Sequence, residues 1–263
     1  MPRDACLCWR SVLSKPFVPG LIVAACVIIV SCTSPEPNDD KQQFIVIGDS
    51  IAVGRGVQPD QAWPAVLVSR TGYDLANLAV GGATSDSVIK GVFDWPSGRS
   101  QPQLAEATSL LAEADTGRVA AVALAIGVND WLELEDGATG SSCVWNPVPA
   151  CDPLFARAMD SLAQNLAFIL SQLRSAMEPS TPLLVMTYYD IVSHDRVEEI
   201  NEVISNAIAE HDVSLADAQS YFAGREQELV VDLIHPSAAG HLVLADIFVN
   251  ALRPDTGSDG YRK

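Results

Sequence analysis

The sequence predicts an α/β protein: a five-stranded parallel sheet with helices on both faces. Three observations predict it. Runs such as Phe44-Ile45-Val46-Ile47 and Val119 to Ile126 are apolar throughout rather than alternating, the pattern of strands buried on both faces. Longer segments repeat apolar residues at three- and four-residue spacing, as amphipathic helices do. The two kinds of segment alternate along the chain, as parallel strands joined by helical crossovers require. With 263 residues and 48% hydrophobic content, the chain can fill one sizeable core without dividing into two domains.

The first strand, Phe44 to Ile47, is closed by Gly48-Asp49-Ser50, after which Ile51-Ala52-Val53 turns helical. Gly54 to Asp60 reads as loop, and Ala62 to Val68 as an amphipathic helix ending near Gly72. Tyr73 to Leu78 is a second strand that runs into Ala79-Val80-Gly81-Gly82-Ala83-Thr84. Paired glycines at a strand end permit positive φ or close backbone approach. Residues 85–118 read as a loop carrying Phe93 and Trp95, then a helix through Leu104, Leu110 and Leu111. Val119 to Ile126 is the third and central strand, ending in Gly127-Val128-Asn129-Asp130-Trp131. Residues 132–152 form a polar inserted loop. Leu154, Met159, Leu162, Leu166, Ile169 and Leu173 mark a long helix, and Pro182 to Tyr189 a fourth strand. Residues 196–211 are helical, with Val197, Ile200, Val203, Ile204 and Ile208 on one face. Val213 to Asp217 is a short fifth strand. The run Val230-Val231-Asp232-Leu233-Ile234 precedes His235-Pro236 and a closing helix from Ser237 to Leu252; residues 254–263 are a frayed tail.

The formal net charge is −17. Arg3, Arg10 and Lys15 against Asp4 give residues 1–31 a charge of +2, so the remainder carries −19. So acidic a surface repels phosphate backbones and argues against nucleic-acid binding. The basic start leads into a 14-residue apolar run, Phe17 to Val30, broken only by Pro19-Gly20. That is short for a membrane span and right for a signal-peptide core. The run ends Ile29-Val30-Ser31-Cys32, which resembles the lipobox of bacterial lipoproteins. The resemblance implies that residues 1–31 are removed and that Cys32 is lipidated as the mature N-terminus. Val23-Ala24-Ala25-Cys26 also fits, but leaves only a stub of apolar core. An uncleaved N-terminal anchor helix is the rival, and it too leaves the domain outside the membrane. Residues 32–42 then read as an acidic, Pro-containing tether, and 43–253 as the folded domain. The expectation is an exported, membrane-anchored bacterial lipoprotein, monomeric, held by acyl chains at about 0.8 kcal/mol per buried CH₂.

Cysteine usage agrees. Cys6, Cys8 and Cys26 fall in the removed segment and Cys32 is the lipid site, which leaves Cys143 and Cys151. An exported compartment is oxidising, so these two are expected to form a disulfide, worth roughly 2–3 kcal/mol for so short a loop. Metal binding is the alternative, disfavoured because no His lies nearby.

Sites in open α/β sheets form beyond the carboxyl ends of the strands. Ser50, Gly82 and Asn129 each follow a predicted strand, and His235 follows the run at 230–234. Each has a bland reading: Ser50 as a helix N-cap, Gly81-Gly82 as a tight turn, Asn129 and Asp130 as turn and cap, Asp232–His235 as a local cap of the last helix. Together they complete a mechanism. A serine hydroxyl needs a base, and the chain has 4 His. His194 sits in a polar segment without a fixed partner, His211 ends a helix facing solvent, and His241 lies inside the last helix. His235 has Asp232 three residues back, able to bond one ring nitrogen and fix the tautomer. An Asn amide at a strand end is a neutral donor for a developing oxyanion. The sequence contains no G-x-G-x-x-G, P-loop, C-x-x-C, H-E-x-x-H or G-x-S-x-G, so dinucleotide, nucleotide, zinc and standard α/β-hydrolase chemistry lack support.

Gly48-Asp49-Ser50, Gly82 within NLAVGGATS, GVND at 127–130 and DLIHP at 232–236 resemble the four blocks of the SGNH/GDSL hydrolase family, in the family's order and over about 190 residues. The resemblance implies a flavodoxin-like three-layer α/β/α sandwich with strand order 2-1-3-4-5. It implies Ser50 as nucleophile, His235 as base and Asp232 as its orienting partner. The oxyanion hole would be the backbone N–H groups of Ser50 and Gly82 with the Asn129 side chain; spacing from Asn77 favours Gly82 over Gly81.

The expected activity is hydrolysis of carboxylic esters through an acyl-serine intermediate, with no metal and no organic cofactor. Lysophospholipases, thioesterases, arylesterases, carbohydrate deacetylases and acyltransferases all belong to the family, so the substrate is a small-molecule, lipid or glycan ester. Trp131, Tyr188-Tyr189 and the 132–152 loop fit either a pocket border or core packing. The absence of anything like a long apolar lid favours a modest acyl length. A cell-envelope O-deacetylase, an acyltransferase and a non-catalytic surface binding protein on the same fold are the alternatives.

Overall fold

A computed structural model describes residues 41–91, 102–192 and 195–253. The signal segment, Cys26, Cys32, most of the tether, Phe93, Trp95, His194 and the 254–263 tail lie outside the described residues. The elements run in order as β1 (Gln43–Gly48), α1 (Ser50–Val53), a 3₁₀ turn (Pro59–Gln61), α2 (Trp63–Thr71), β2 (Asp74–Asn77), α3 (Ser85–Lys90), α4 (Gln103–Glu113) and β3 (Val119–Ala125). Then come α5 (Asn129–Leu132), a hairpin of β4 (Glu135–Asp136) and β5 (Ser141–Ser142), α6 (Cys151–Ala176), β6 (Leu183–Met186) and α7 (Arg196–Ala209). The chain closes with β7 (Ser214–Ala216), α8 (Ala218–Phe222), α9 (Glu226–Leu229) and α10 (Ala238–Ala251).

Five strands form one sheet in the order β2-β1-β3-β6-β7, every neighbouring pair parallel. This is the 2-1-3-4-5 order. The two central strands are the continuous apolar runs: Phe44 to Ile47 and Ala121 to Ala125 are all fully buried. One helical layer packs α2 against α10, with α8 and α9 on α10; the other packs α6 against α3, α4, α5 and α7. The domain is therefore a three-layer α/β/α sandwich. Trp63 stacks on Phe248 at 4.0 Å between ring centroids, joining α2 to α10.

The long helix owes its place to a stripe of Phe155, Met159, Leu162, Leu166, Ile169, Leu170 and Leu173, all buried. It starts at Cys151, inside the segment expected to be loop, and Phe155 rather than Leu154 opens its core face. Cys143 and Cys151 are disulfide-bonded, with Cα atoms 5.4 Å apart, so the bridge pins the hairpin to the first residue of α6.

Two further expectations are corrected. Residues 85–90, read as loop, form α3, because Thr84 caps it: the Thr84 hydroxyl accepts from Ser87 N, and Ser87 Oγ accepts from Thr84 N. The strand expected over Pro182 to Tyr189 stops at Met186; Thr187 N still donates to Ala216 O of β7, and beyond it Asn201 takes over the Tyr188 peptide, accepting from its N–H and donating to its C=O. At the other end the fold reaches slightly before residue 43: Gln42 O accepts from Asp74 N and Gln42 Nε2 donates to Gly117 O.

Candidate active site

The carboxyl end of β1 sets the position of Ser50. A Cβ on Gly48 would lie 2.6 Å from Ala52 Cβ and 2.9 Å from Ala125 O, so only glycine lets α1 turn back this close to β1 and β3. The buried Gln103 amide holds the same residue from α4, accepting from Gly48 N (2.8 Å) and donating to Gly48 O (3.0 Å). Asp49 then caps the helix that Ser50 begins. Its Oδ1 accepts from Ile51 N at 2.9 Å, and its Oδ2 accepts from Tyr188 Oη at 2.7 Å. Asp49 is fully buried, and desolvation pushes its pKa up to about 6 against the lowering effect of the Tyr188 and Ile51 bonds. The same burial, with Asp49 beside it, pushes the Tyr188 phenol well above its usual range.

Ser50 Oγ lies 2.9 Å from His235 Nε2. The other ring nitrogen, Nδ1, is 2.8 Å from Asp232 Oδ2 and 3.0 Å from Oδ1. Asp232 Oδ1 also accepts from His235 N (2.7 Å) and Ile234 N (3.2 Å), so one carboxylate orders the whole turn. That turn requires Leu233 at φ +69°, a left-handed conformation uncommon in a non-glycine residue. Val192 N, bonded to Leu233 O, and Tyr189 Oη, bonded to Ile234 O, hold it there. The Asp232 side chain is 56% exposed while that of His235 is 9%. Burial raises the Asp232 pKa, but the His235 backbone and imidazole bonds outweigh it and the net shift is downward.

Gly82 and Asn129 come to the same edge. The turn after β2 runs along the end of β1, with Val80 N on Gly48 O and Ala83 N on Val80 O. It places Gly82 at φ +75°, where a Cβ would lie 3.2 Å from Glu133 Oε1. Gly81 has no such constraint. Asn129, the first residue of α5, is buried and donates from Nδ2 to Ala83 O at 3.0 Å. Among the described residues its second amide hydrogen has no partner. Neither Ser50 N nor Gly82 N is bonded among the described residues. Beside Asn129, Asp130 accepts from Ser85 Oγ (2.5 Å) and Ser85 N (2.8 Å). Desolvation raises its pKa, partly offset by these Ser85 bonds.

The other expected residues fall elsewhere. His241 is fully buried, and its Nδ1 accepts from Trp63 N, the first helical residue of α2. Desolvation lowers its pKa to about 4, so it is a neutral cap rather than a base for Ser50. Trp131, Tyr188 and Tyr189 are buried, with Trp131 and Tyr188 also reaching the walls of surface cavities. No cluster of metal-ligating side chains occurs among the described residues.

A family model for the GDSL-like Lipase/Acylhydrolase family matches residues 46–243. The chain belongs to that family. Membership makes it a hydrolase acting on ester bonds. No curated protein matches the sequence. Solved structures similar to this GDSL-like hydrolase include TesA (22% identity, TM-score 0.55, 81% of this chain and 99% of that one). Phospholipase A1 from Streptomyces albidoflavus NA297 aligns at 18% identity and TM-score 0.59 over 80% of this chain and 99% of its own. Axe2, an acetylxylan esterase from Geobacillus stearothermophilus, aligns at 17% and 0.52 over 80% and 94%. At these identities the likeness is one of fold.

The sequence reading missed Gln103, the partners of Asp49 and the Ser85–Asp130 contact. Gln103 carries no local signal at all. For Asp49 the signal was its place directly before Ser50, where an N-cap is favoured.

Proposed function

We propose that this GDSL-like hydrolase is a serine esterase that cleaves carboxylic esters through an acyl-Ser50 intermediate. The observation that supports it most is the chain Ser50 Oγ–His235 Nε2 at 2.9 Å and His235 Nδ1–Asp232 Oδ2 at 2.8 Å. Asp232 holds the proton on Nδ1, which leaves Nε2 to accept. His235 takes the Ser50 proton as Oγ attacks the ester carbon, and gives it to the leaving alkoxide as the acyl-enzyme forms. A water then loses its proton to Nε2, attacks the acyl carbon and releases the acid, the proton returning to Ser50 Oγ. Ser50 N, Gly82 N and the free Asn129 amide hydrogen supply the oxyanion's donors. No metal or organic cofactor takes part, so activity is expected to survive EDTA.

The acyl group is of modest length. Val53, Val231 and Leu233, close in sequence to Ser50 and Asp232, are exposed apolar side chains, and the sequence carries nothing like a long apolar lid. Glycan O-acetyl esters are the second reading, supported by the similar acetylxylan esterase fold. Cys32 carries the lipid anchor, and the enzyme works as an exported monomer at the membrane surface. The full-length chain is expected to incorporate labelled fatty acid and the Cys32→Ser variant not to; equal labelling of both would refute the anchor.

The test is hydrolysis of p-nitrophenyl esters from acetyl to palmitoyl by residues 33–263 and by the Ser50→Ala variant. Activity on short chains that disappears in the variant is expected. Equal rates for both proteins would overturn the assignment of Ser50.

A further inference from the structure

We propose that Asp130 is a positioning residue that sets the spacing of the oxyanion donors, by clamping the start of α5 to the turn that carries Gly82. The inference rests on the esterase reading above. Gly82 and Asn129 belong to different segments, 47 positions apart in sequence, and nothing in either segment alone fixes their separation. Two contacts do. Asn129 Nδ2 donates to Ala83 O, and the Asp130 carboxylate receives both the N–H and the hydroxyl of Ser85. Neighbouring residues of α5 thus grip positions 83 and 85, on either side of Thr84 and immediately after Gly82. Asn165 of α6 completes the brace, donating from Nδ2 to Ser85 Oγ at 2.9 Å.

The chemistry of the clamp explains why a carboxylate stands here. Asp130 is largely buried, pairs with no cation among the described residues, and a buried carboxylate without a cation is unfavourable. Both of its oxygens are used on one partner, Ser85, itself fully buried. An amide at this position can keep its oxygen on the Ser85 N–H but meets the Ser85 hydroxyl with an NH₂, so that hydroxyl must turn from donor to acceptor and a charge-assisted bond gives way to a weaker neutral one, loosening one arm of the clamp. An alanine loses both. In either case Asn129 keeps its bond to Ala83, but the turn and helix can shift relative to each other. A displacement of about 1 Å at such a site lowers rate by as much as 10²-fold.

The experiment is a double-mutant cycle on p-nitrophenyl acetate, with wild type, Asp130→Asn, Asn129→Ala and the double variant. Asp130→Asn is expected to lower kcat about 10- to 100-fold with KM within about threefold. In the Asn129→Ala background the same change is expected to lower kcat at least fivefold less, because one donor that it positions is already gone. Ser85→Ala, which keeps the Ser85 N–H arm, serves where Asp130→Asn fails to fold, with a smaller kcat loss and the same non-additivity. A structural role would multiply equally in both backgrounds, and that result, or an effect on KM alone, would overturn the inference. Loss of Ser50 dependence, or an Asn129→Ala variant as fast as wild type, would overturn the esterase reading instead.

Discussion

Asp49 offers the sharpest test of the electrostatics around Ser50. Its carboxylate is fully buried, accepts from Ile51 N and Tyr188 Oη, and is raised from 3.8 to about 6 chiefly by desolvation. A carboxyl whose folded pKa is raised binds its proton more tightly in the folded state. Stability from this group is therefore complete below the unfolded pKa and is lost as pH rises from 3.8 through about 6. At 1.36 kcal/mol per unit, the full loss is about 3 kcal/mol. About half of it falls between pH 5 and pH 8, clear of the isoelectric point near 4.4. Asp49→Asn keeps an acceptor for Ile51 N and cannot ionise. The variant is expected to gain about 1.4 kcal/mol relative to wild type between pH 5 and pH 8. Any offset from the altered Tyr188 bond is independent of pH and cancels in that difference. Urea unfolding followed by tryptophan fluorescence, run on both proteins at each pH, measures it. A difference flat to within about 0.5 kcal/mol, or one that favours wild type as pH rises, would refute the reasoning.

Three other outcomes follow from particular contacts. Gly82→Ala puts a Cβ 3.2 Å from Glu133 Oε1 on a residue at φ +75°, so kcat on p-nitrophenyl acetate is expected to fall at least tenfold; unchanged kinetics would remove Gly82 from the site. Gln103→Leu strands the buried N–H of Gly48, whose C=O keeps its bond from Val80 N, and is expected to lower unfolding free energy by about 1–3 kcal/mol, read from urea midpoints. Reduction of Cys143–Cys151, which closes a short loop, is expected to lower stability by roughly 2–3 kcal/mol in the same assay, with equal midpoints in both redox states as the contrary result.

Much of the sheet could be read from the sequence because its central strands are buried on both faces, and continuous apolarity is a local signal. Where burial and strand pairing separate, the signal misleads. Tyr188 and Tyr189 extend the apolar run past Met186, yet they are buried by Asp49, Asn201, Ile234 and Phe222 rather than by a neighbouring strand. Helix α3 was illegible for the opposite reason: Ser85-Asp86-Ser87 is polar, and its cap uses Ser87 where a Glu or Gln is the recognisable partner. Ser50, Gly82, Asn129 and His235 stood out because each follows a strand or apolar run. Gln103 and Asn165 did not, because their partners lie 55 and 80 residues away and a polar residue on a helix looks like surface until its neighbour is known.

The carboxylates nearest Ser50 divide by environment. Asp49 is fully and Asp130 partly buried; both accept one backbone N–H at the start of a helix and one hydroxyl, and both have raised pKa values. Asp232 is half exposed, bonds an imidazole, and has a lowered pKa. Groups pushed apart in this way are suited to different work. In the mechanism proposed above, a carboxylate that must stay charged beside an imidazolium needs the third environment, and Asp232 has it. The first two environments favour the neutral form and hold backbone in place, so their substitution acts on geometry and stability. The pH dependence of Asp49→Asn and the non-additivity of Asp130→Asn each isolate one of these effects from proton transfer at His235.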